Sequence, residues 1–421
     1  MQDIIIYGYN LYPKTYTEAN SKKSGLALYN TFQVFGFKEI YNLTVSFIRS
    51  SFDEKEKLYD EIIDGITVYN MPVKFSEYFE PNGTFDASLP NKFYQNSISL
   101  ENPIYFSLCN NLQQIINSQQ SSSIIINTHN FIPTTVAVLA QQQSANKNAR
   151  IYATIHDIDR NLAIFVKENQ QFVERLIAIS KSVKERLISI GFAEEKIVLI
   201  PNGIDFKPIY SSLEYCQSNN VWEQICHEYA IEKSSFILTL PARRVPHKGH
   251  SVAFNALRQI IDQNNSDIKL LITGCSMGQE WYEKELRELI SKLRLDKNVI
   301  LLNELEQEEM VSLYDNSDLI ITPSTVEEGF CYANIECMLV GKAAVVTSNF
   351  GGVLDYMKHM ETGYLVPVGD YAALAESIDF LLRNNELRES IIQNAKKVAE
   401  LYDEKRMLSS YFELFSNHED K

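Results

Sequence analysis

Two stretches of this chain gather side chains that could hold an anion and a set of hydroxyls. The first is Leu240-Pro-Ala-Arg243-Arg244-Val-Pro-His247-Lys248-Gly249-His250, which places three cations within six residues. It follows an apolar run, Phe236–Leu240, of strand type. At the carboxyl end of a strand, Arg243 and Lys248 could converge on a diphosphate, one as a forked donor and the other as a point charge. The plain alternative is a solvated basic loop. His247 and His250 read as loop residues rather than metal ligands, because too few acidic neighbours stand nearby to complete a site.

The second stretch is Thr322-Pro-Ser-Thr-Val-Glu-Glu328-Gly329-Phe330-Cys331-Tyr332-Ala-Asn-Ile-Glu336. A strand should end near Ile321, a loop should follow, and a helix should open at Cys331–Tyr332. Gly329 lets a backbone approach a ligand closely. The first amides of that helix, with its dipole, favour an anion. Glu328 and Glu336 have seven residues between them, too many to share one small group. Two carboxylates at two depths suit two sets of hydroxyls, such as those of a sugar and a ribose. The alternative makes them an ordinary first-turn acid and a solvated helix acid. Ile335, Cys337, Met338 and Leu339 flank Glu336, so its helix should be largely buried, and a buried carboxylate needs partners.

The elements that must position these groups follow one rhythm. Short apolar runs alternate with helical patterns along most of the 421 residues, the signature of βαβ units on parallel sheets. Strands are expected at Ile4–Tyr7, Ile124–Asn127, Ile151–Ile155, Leu176–Ile179 and Ile197–Ile200, and again at Phe236–Leu240, Lys269–Thr273, Val299–Leu302, Leu319–Ile321 and Ala344–Thr347. Residues 40–110 are aromatic-rich and hold strand-like pieces without a clear order. Residues 206–234 read as an irregular linker with one short helix, and 385–415 as one helix. The length exceeds one ordinary core and predicts two Rossmann-like, doubly wound α/β domains. Ligands of such sheets sit beyond the strands' carboxyl ends, so two of them facing each other would form a cleft.

Composition narrows the function classes. The chain is 45% hydrophobic and 22% charged, with a net charge of −15. Residues 1–200 carry 18 Lys+Arg against 20 Asp+Glu, and 201–421 carry 21 against 34. An acidic second half argues against a nucleic-acid binder. No apolar run reaches the ~18 residues of a membrane span. The start, MQDIIIYGY, lacks a signal peptide's basic region and long apolar core. The six cysteines show no CxxC pair or zinc spacing, so reduced cytoplasmic thiols are expected. Lys181, Lys184 and Arg186 allow peripheral contact with the inner face of a membrane, although such a cluster is more commonly a solvated face.

Arg243-x4-Lys248-Gly, then Glu328-Gly-Phe-x5-Glu336, then Ser348-Asn-Phe-Gly351-Gly352 resembles the retaining glycosyltransferases of family 4, whose fold is GT-B. Pro201-Asn202-Gly203-Ile-Asp205 looks like that family's inter-domain turn, and the terminal helix like its segment that crosses back. The resemblance implies residues 1–205 as an acceptor-binding domain, 206–398 as a nucleotide-sugar domain, and 399–421 as the returning helix. It implies that Arg243 and Lys248 hold a donor diphosphate. Glu328, with the amides of Gly329, Phe330, Cys331 and Tyr332, would hold the donor sugar, and Glu336 the ribose. Gly25 in Ser24-Gly25 looks like the phosphate loop of the first domain. His156 looks like the histidine that touches the sugar, and His129 is a weaker acceptor-side candidate. The chain departs from the pattern at Ala242 and Cys331, where the family usually has Gly, and at Asp355, where it often has Glu.

The reaction so implied moves a hexose from a nucleoside diphosphate sugar, with UDP-glucose as the first expectation, to a hydroxyl of a glycan or lipid-linked glycan. A front-face mechanism that keeps the anomeric configuration is expected, with no metal and no cofactor. Asp157-Ile-Asp159 is the one Asp-x-Asp that could argue for a metal, and a three-residue pattern arises readily by chance. A nucleotide-sugar epimerase and an inactive nucleotide-sugar-binding protein of the same fold are the alternatives.

Overall fold

The computed structural model describes residues 3–8, 25–51, 57–72, 98, 103–119, 121, 123–143, 148–232, 235–264, 267–274 and 280–416. The chain divides into two compact units, Met1–Gly203 with Glu404–Lys421, and Ile204–Asp403.

The sheet of the first unit contains, among the described residues, β1 (Asp3–Tyr7), β2 (Thr44–Ser51), β3 (Tyr59–Ile63), β4 (Ile66–Pro72), β5 (Ile124–His129), β6 (Ala149–Ile155), β7 (Val173–Ala178) and β8 (Ile197–Leu199). Their order is β3-β4-β2-β1-β5-β6-β7-β8. The β3–β4 pair is antiparallel and the others run parallel. Helices α1 (Gly25–Tyr41), α2 (Pro103–Ser118), α3 (Phe131–Gln143), α4 (Arg160–Glu168) and α5 (Lys181–Ile190) alternate with the strands. Strands covered on both faces must be apolar throughout, and Ile4, Ile5, Ile6, Ile124, Ile125 and Ile126 are all at most 1% exposed.

The hard-to-order residues 40–110 thus supply β2, a hairpin and the start of α2. The hairpin turns at Asp64-Gly65, both with positive φ (48° and 73°). Asp-Gly between apolar runs is a strong hairpin signal, and it lies in the sequence at that point. Lys38 Nζ donates to the carbonyls of both turn residues, at 3.1 and 2.9 Å.

The second unit opens with α6 (Phe206–Asn219) and α7 (Val221–Glu228). Residues 206–228 are therefore two helices, where an irregular linker with one short helix was expected. Asp205 caps α6 by accepting from the Lys207 amide, and Cys216, Val221 and Ile225 pack with Ile237, Leu271 and Leu313 as part of a buried core. The sheet follows: β9 (Phe236–Leu240), β10 (Ile268–Ile272), β11 (Val299–Leu301), β12 (Leu319–Thr322), β13 (Ala344–Ser348) and β14 (Tyr364–Val366). The helices are α8 (His250–Asn264), α9 (Glu280–Lys292), α10 (Gln307–Asn316), α11 (Tyr332–Val340), α12 (Tyr371–Arg383) and α13 (Asn385–Ala399). The strands run parallel in the order β11-β10-β9-β12-β13-β14. This is the Rossmann order, whose switch point falls between its first and fourth strands, here β9 and β12. The loops after those two strands are the two stretches singled out in the sequence.

The expected single helix over 385–415 is instead α13 and α14 (Glu404–Ser416). The break has a cause: the Ile204 amide donates to the Tyr402 carbonyl at 2.8 Å, and Ile204 forms a bridge with Asp403. The returning segment accordingly begins at Glu404 rather than at 399. It packs on the first unit, with Phe415 4.8 Å from Tyr152 and Phe412 stacked on Tyr41 at 4.3 Å between ring centroids.

Candidate active site

Three loops of the second unit meet beyond the carboxyl ends of β9, β12 and β13. After β9, Gly249 adopts φ 76°, and a Cβ there would lie 1.9 Å from the Pro323 carbonyl oxygen. Only glycine allows that approach. The Thr325 amide donates to the His247 carbonyl at 2.8 Å, which ties the first loop to the second. After β13, Gly351 has φ 76°, and a Cβ there would come within 2.6 Å of the Glu328 carbonyl oxygen. The Gly352 amide donates to that same oxygen at 2.8 Å.

These constraints bring Lys248 and Glu328, eighty residues apart in sequence, into an ion pair with Nζ–Oε2 2.7 Å. Both side chains are largely shielded, at 17% and 20% exposure. Ser324 Oγ donates to the other carboxylate oxygen, Oε1. Glu328 is thus oriented by a cation and a hydroxyl. Ser324 itself is held by the Ser348 hydroxyl, which donates to its carbonyl at 2.8 Å. Beside them lies a small cleft whose lining includes Ser324, Glu328, Cys331, Ser348 and Phe350.

The two arginines separate. Arg244 turns inward, pairs with Glu283 at 3.1 Å and donates to the Leu302 carbonyl, so it serves the structure. Arg243 is exposed on the loop that carries Lys248. His250 is buried against Tyr282, 5.9 Å between ring centroids. Burial, aided by the Arg244 and Lys248 charges, lowers its pKa to about 4.

Helix α11 begins at Tyr332 with Cys331 as its N-cap, and no side chain caps it. The Cys331 thiol is pushed up to about 12, mainly by burial and then by Glu328, so it is a protonated spacer. Gly329 and Phe330 lead into the helix, and Phe330 packs on Tyr332, Tyr356 and Tyr402 at 5.0, 5.6 and 5.7 Å. Asn334, wholly buried, accepts from the Thr322 hydroxyl at 3.0 Å and pins the helix to the end of β12. Glu336 is half-buried and accepts from the Tyr314 hydroxyl at 3.0 Å. That bond supplies the partner a shielded carboxylate requires.

In the first unit, His129 ends β5 and His156 follows β6. The His129 Nδ1 and His156 Nε2 atoms are 3.0 Å apart, and the rings stack at 5.3 Å. Burial lowers the His156 pKa to about 3, and lowers His129 well below the usual range with help from His156. Asn130, in the left-handed region at φ 66°, accepts the amides of His156 and Asp157 at 2.7 and 3.1 Å. Asp159 accepts two amides at the start of α4, and Asp157 accepts the Ile158 amide at 2.8 Å. Both carboxylates of the Asp-x-Asp therefore have backbone partners. Gly25 opens α1, while Ser24 lies outside the described residues.

Sequence reasoning missed Ser324, Tyr314, Gln33 and Asn130. Ser324, four residues before Glu328, was within reach as a local partner. The other three act on groups far away in sequence, and no local pattern marks them.

Residues 223–398 match the family model described as Glycosyl transferases group 1, and residues 83–207 match Glycosyltransferase Family 4. The chain is similar to the capsular polysaccharide biosynthesis glycosyltransferase CapM of Staphylococcus aureus, at 30% identity over 230 residues, 53% of this chain and 56% of CapM. It thus spans little more than half of that relative. It is also similar to the N-acetyl-alpha-D-glucosaminyl L-malate synthase of Bacillus anthracis, 24% identical over 345 residues, 81% of this chain and 85% of that enzyme. The fold matches Anabaena Alr3699/HepE in complex with UDP and glucose, with TM-score 0.70, 19% identity and 99% of both chains covered. Two Rossmann-like units with a returning C-terminal helix make this a GT-B protein. The chain belongs to the family 4 type of glycosyltransferases.

Proposed function

We propose that this protein is a retaining glycosyltransferase that moves a hexose from a nucleoside diphosphate sugar to a hydroxyl of a glycan or lipid-linked glycan, with UDP-glucose as the first donor to test. The observation that carries the reading is the Lys248–Glu328 pair at the Rossmann switch point, beside the start of α11. A cation there suits a pyrophosphate, and a carboxylate oriented by Ser324 suits sugar hydroxyls. The UDP and glucose of the Anabaena complex and the polysaccharide role of CapM support the substrate classes.

In this reading the bond between the anomeric carbon and the β-phosphate oxygen breaks. Arg243, Lys248 and the first amides of α11 stabilise the charge that builds on the phosphate. The acceptor oxygen bonds to the anomeric carbon on the same face, and its proton passes to the departing phosphate oxygen. Lys248 exchanges its partner Glu328 for the phosphate as the donor enters. Arg243 and Lys248 supply the positive charge, so the step as written calls for no metal. The protein then works in the cytoplasm, and at the inner face of a membrane when the acceptor is lipid-linked. Among the described residues no helix is long and apolar enough to cross a membrane.

A thermal-shift screen of nucleotide sugars identifies the donor, and product NMR with that donor and a glycan acceptor reads the anomeric configuration. An axial donor should give an axial linkage. An inverted product sinks the front-face mechanism. An epimerised donor without acceptor points to an epimerase instead. Binding without turnover of any kind points to an inactive binding protein.

A further inference from the structure

Arg243 and Arg244 are alike in sequence, and one helix of the second unit tells them apart. Arg244 is 6% exposed, and its guanidinium forks between two elements. Nη1 donates to Glu283 Oε2 at 3.1 Å in the first turn of α9, and Nη2 donates to the Leu302 carbonyl just past β11. Two acceptors on separate elements suit a planar fork, which a lysine does not copy. The next residue of the same turn, Tyr282, packs edge-on against His250, 5.9 Å between ring centroids. Helix α9 therefore grips the segment 244–250 at both ends. Between the grips the segment closes on itself. The Val245 amide donates to the Arg243 carbonyl at 2.9 Å, and the Lys248 amide to the Val245 carbonyl at 3.1 Å. Gly249, pressed against the Pro323 carbonyl, closes the far side. Lys248 stands inside this frame.

We infer that Arg244, held by Glu283, is a positioning residue for Lys248: it fixes the backbone of the β9 loop so that the ammonium stands at Glu328, ready for the phosphates of a nucleoside diphosphate. The consequence for the ligand rests on the glycosyltransferase reading, whereas the placement of Lys248 does not. A lysine ends a flexible four-carbon stem, so its charge is preorganised only when the backbone beneath it is fixed. Arg244 makes no hydrogen bond to Lys248 or Glu328, so its influence passes through the loop itself.

Arg244→Met keeps an apolar stem and leaves Glu283 paired with Arg287 at 2.7 Å, so no carboxylate is stranded. A double-mutant cycle reads the coupling as calorimetric affinity for UDP, GDP, ADP or TDP, whichever the wild type binds best. Arg244→Met should weaken that nucleotide about tenfold, but change its affinity only about twofold or less once Lys248→Ala is present. Equal losses in the two backgrounds would mean that Arg244 serves the fold alone, and would overturn the inference. Wild-type affinity of the single variant would overturn it too. Arg244→Lys carries the same cycle where Arg244→Met does not fold. A crystal structure of the variant should show Lys248 Nζ more than about 4 Å from the Glu328 carboxylate. An intact pair at 2.7 Å would again overturn the inference. If no nucleoside diphosphate binds the wild type while the pair opens in the variant, the glycosyltransferase reading fails and the placement of Lys248 by Arg244 survives it.

Discussion

At the scale of single residues, the proposed site turns on one ion pair. Lys248 and Glu328 hold each other at 2.7 Å, and a bound pyrophosphate would compete for the ammonium. Lys248→Ala or Arg243→Ala should lower turnover about 100-fold, the scale of losing one preorganised charge partner, while the protein stays folded. Near-wild-type transfer by either variant would remove the diphosphate role. Glu336→Ala should weaken free-nucleotide binding in calorimetry. Tyr314→Phe should weaken it less, because it removes only the hydroxyl that orients the carboxylate at 3.0 Å. Unchanged affinity in both would reject the ribose assignment.

At the scale of elements, glycines decide whether the three loops can meet. Gly249 and Gly351 have positive φ and lie against the carbonyls of Pro323 and Glu328. Alanine at Gly249 must both adopt a strained backbone and push the β12 loop away. The strain alone is worth about 1–3 kcal/mol. Gly249→Ala should therefore lose donor binding and some stability, as read by calorimetry and denaturant unfolding. Gly369 has a similar φ of 74° but open space around it, so Gly369→Ala is the control that tests strain without collision. Equal effects of the two on donor binding would show that the collision with Pro323 is unimportant. The returning helix α14 depends on another small residue. A Cβ at Gly36 of α1 would lie 2.2 Å from Leu408 Cδ1, so the two helices meet over a glycine.

At the scale of the whole molecule, pH should act through histidines kept neutral. His156 has its pKa lowered to about 3 and His250 to about 4, both mainly by burial, and His129 is lowered too. In the unfolded chain each returns to the ordinary value of about 6.5. As pH falls below that value, the unfolded chain takes up protons that the folded chain refuses, so stability declines. The loss should be on the order of 1 kcal/mol per histidine between about pH 7 and pH 5. Thermal unfolding across that range should show the decline, and His250→Gln should make it shallower. A flat profile for the wild type would contradict the buried, neutral state of these rings.

Much of this architecture is legible in the amino-acid order itself. The apolar runs Phe236–Leu240 and Leu319–Ile321 mark their strands, because residues buried on both faces of a parallel sheet must be apolar without interruption. The loops after them carry charges and glycines at spacings that resemble one family. Local order fails where pairing is remote. The hairpin over 59–72 is obscured by its aromatic surroundings despite Asp64-Gly65, and residues 206–228 form two helices because they cover one face of a sheet formed later in the chain. Sequence alone determined which residue types stand at the ends of which strands. Only the tertiary structure decided that Arg243 stays exposed while Arg244 turns inward to Glu283, that Ser324 holds Glu328, and that Gln33 stands behind His129. The physical reason is distance along the chain: propensity and periodicity act over one turn or one pleat, whereas these choices are made by groups brought together when strand order and helix packing close.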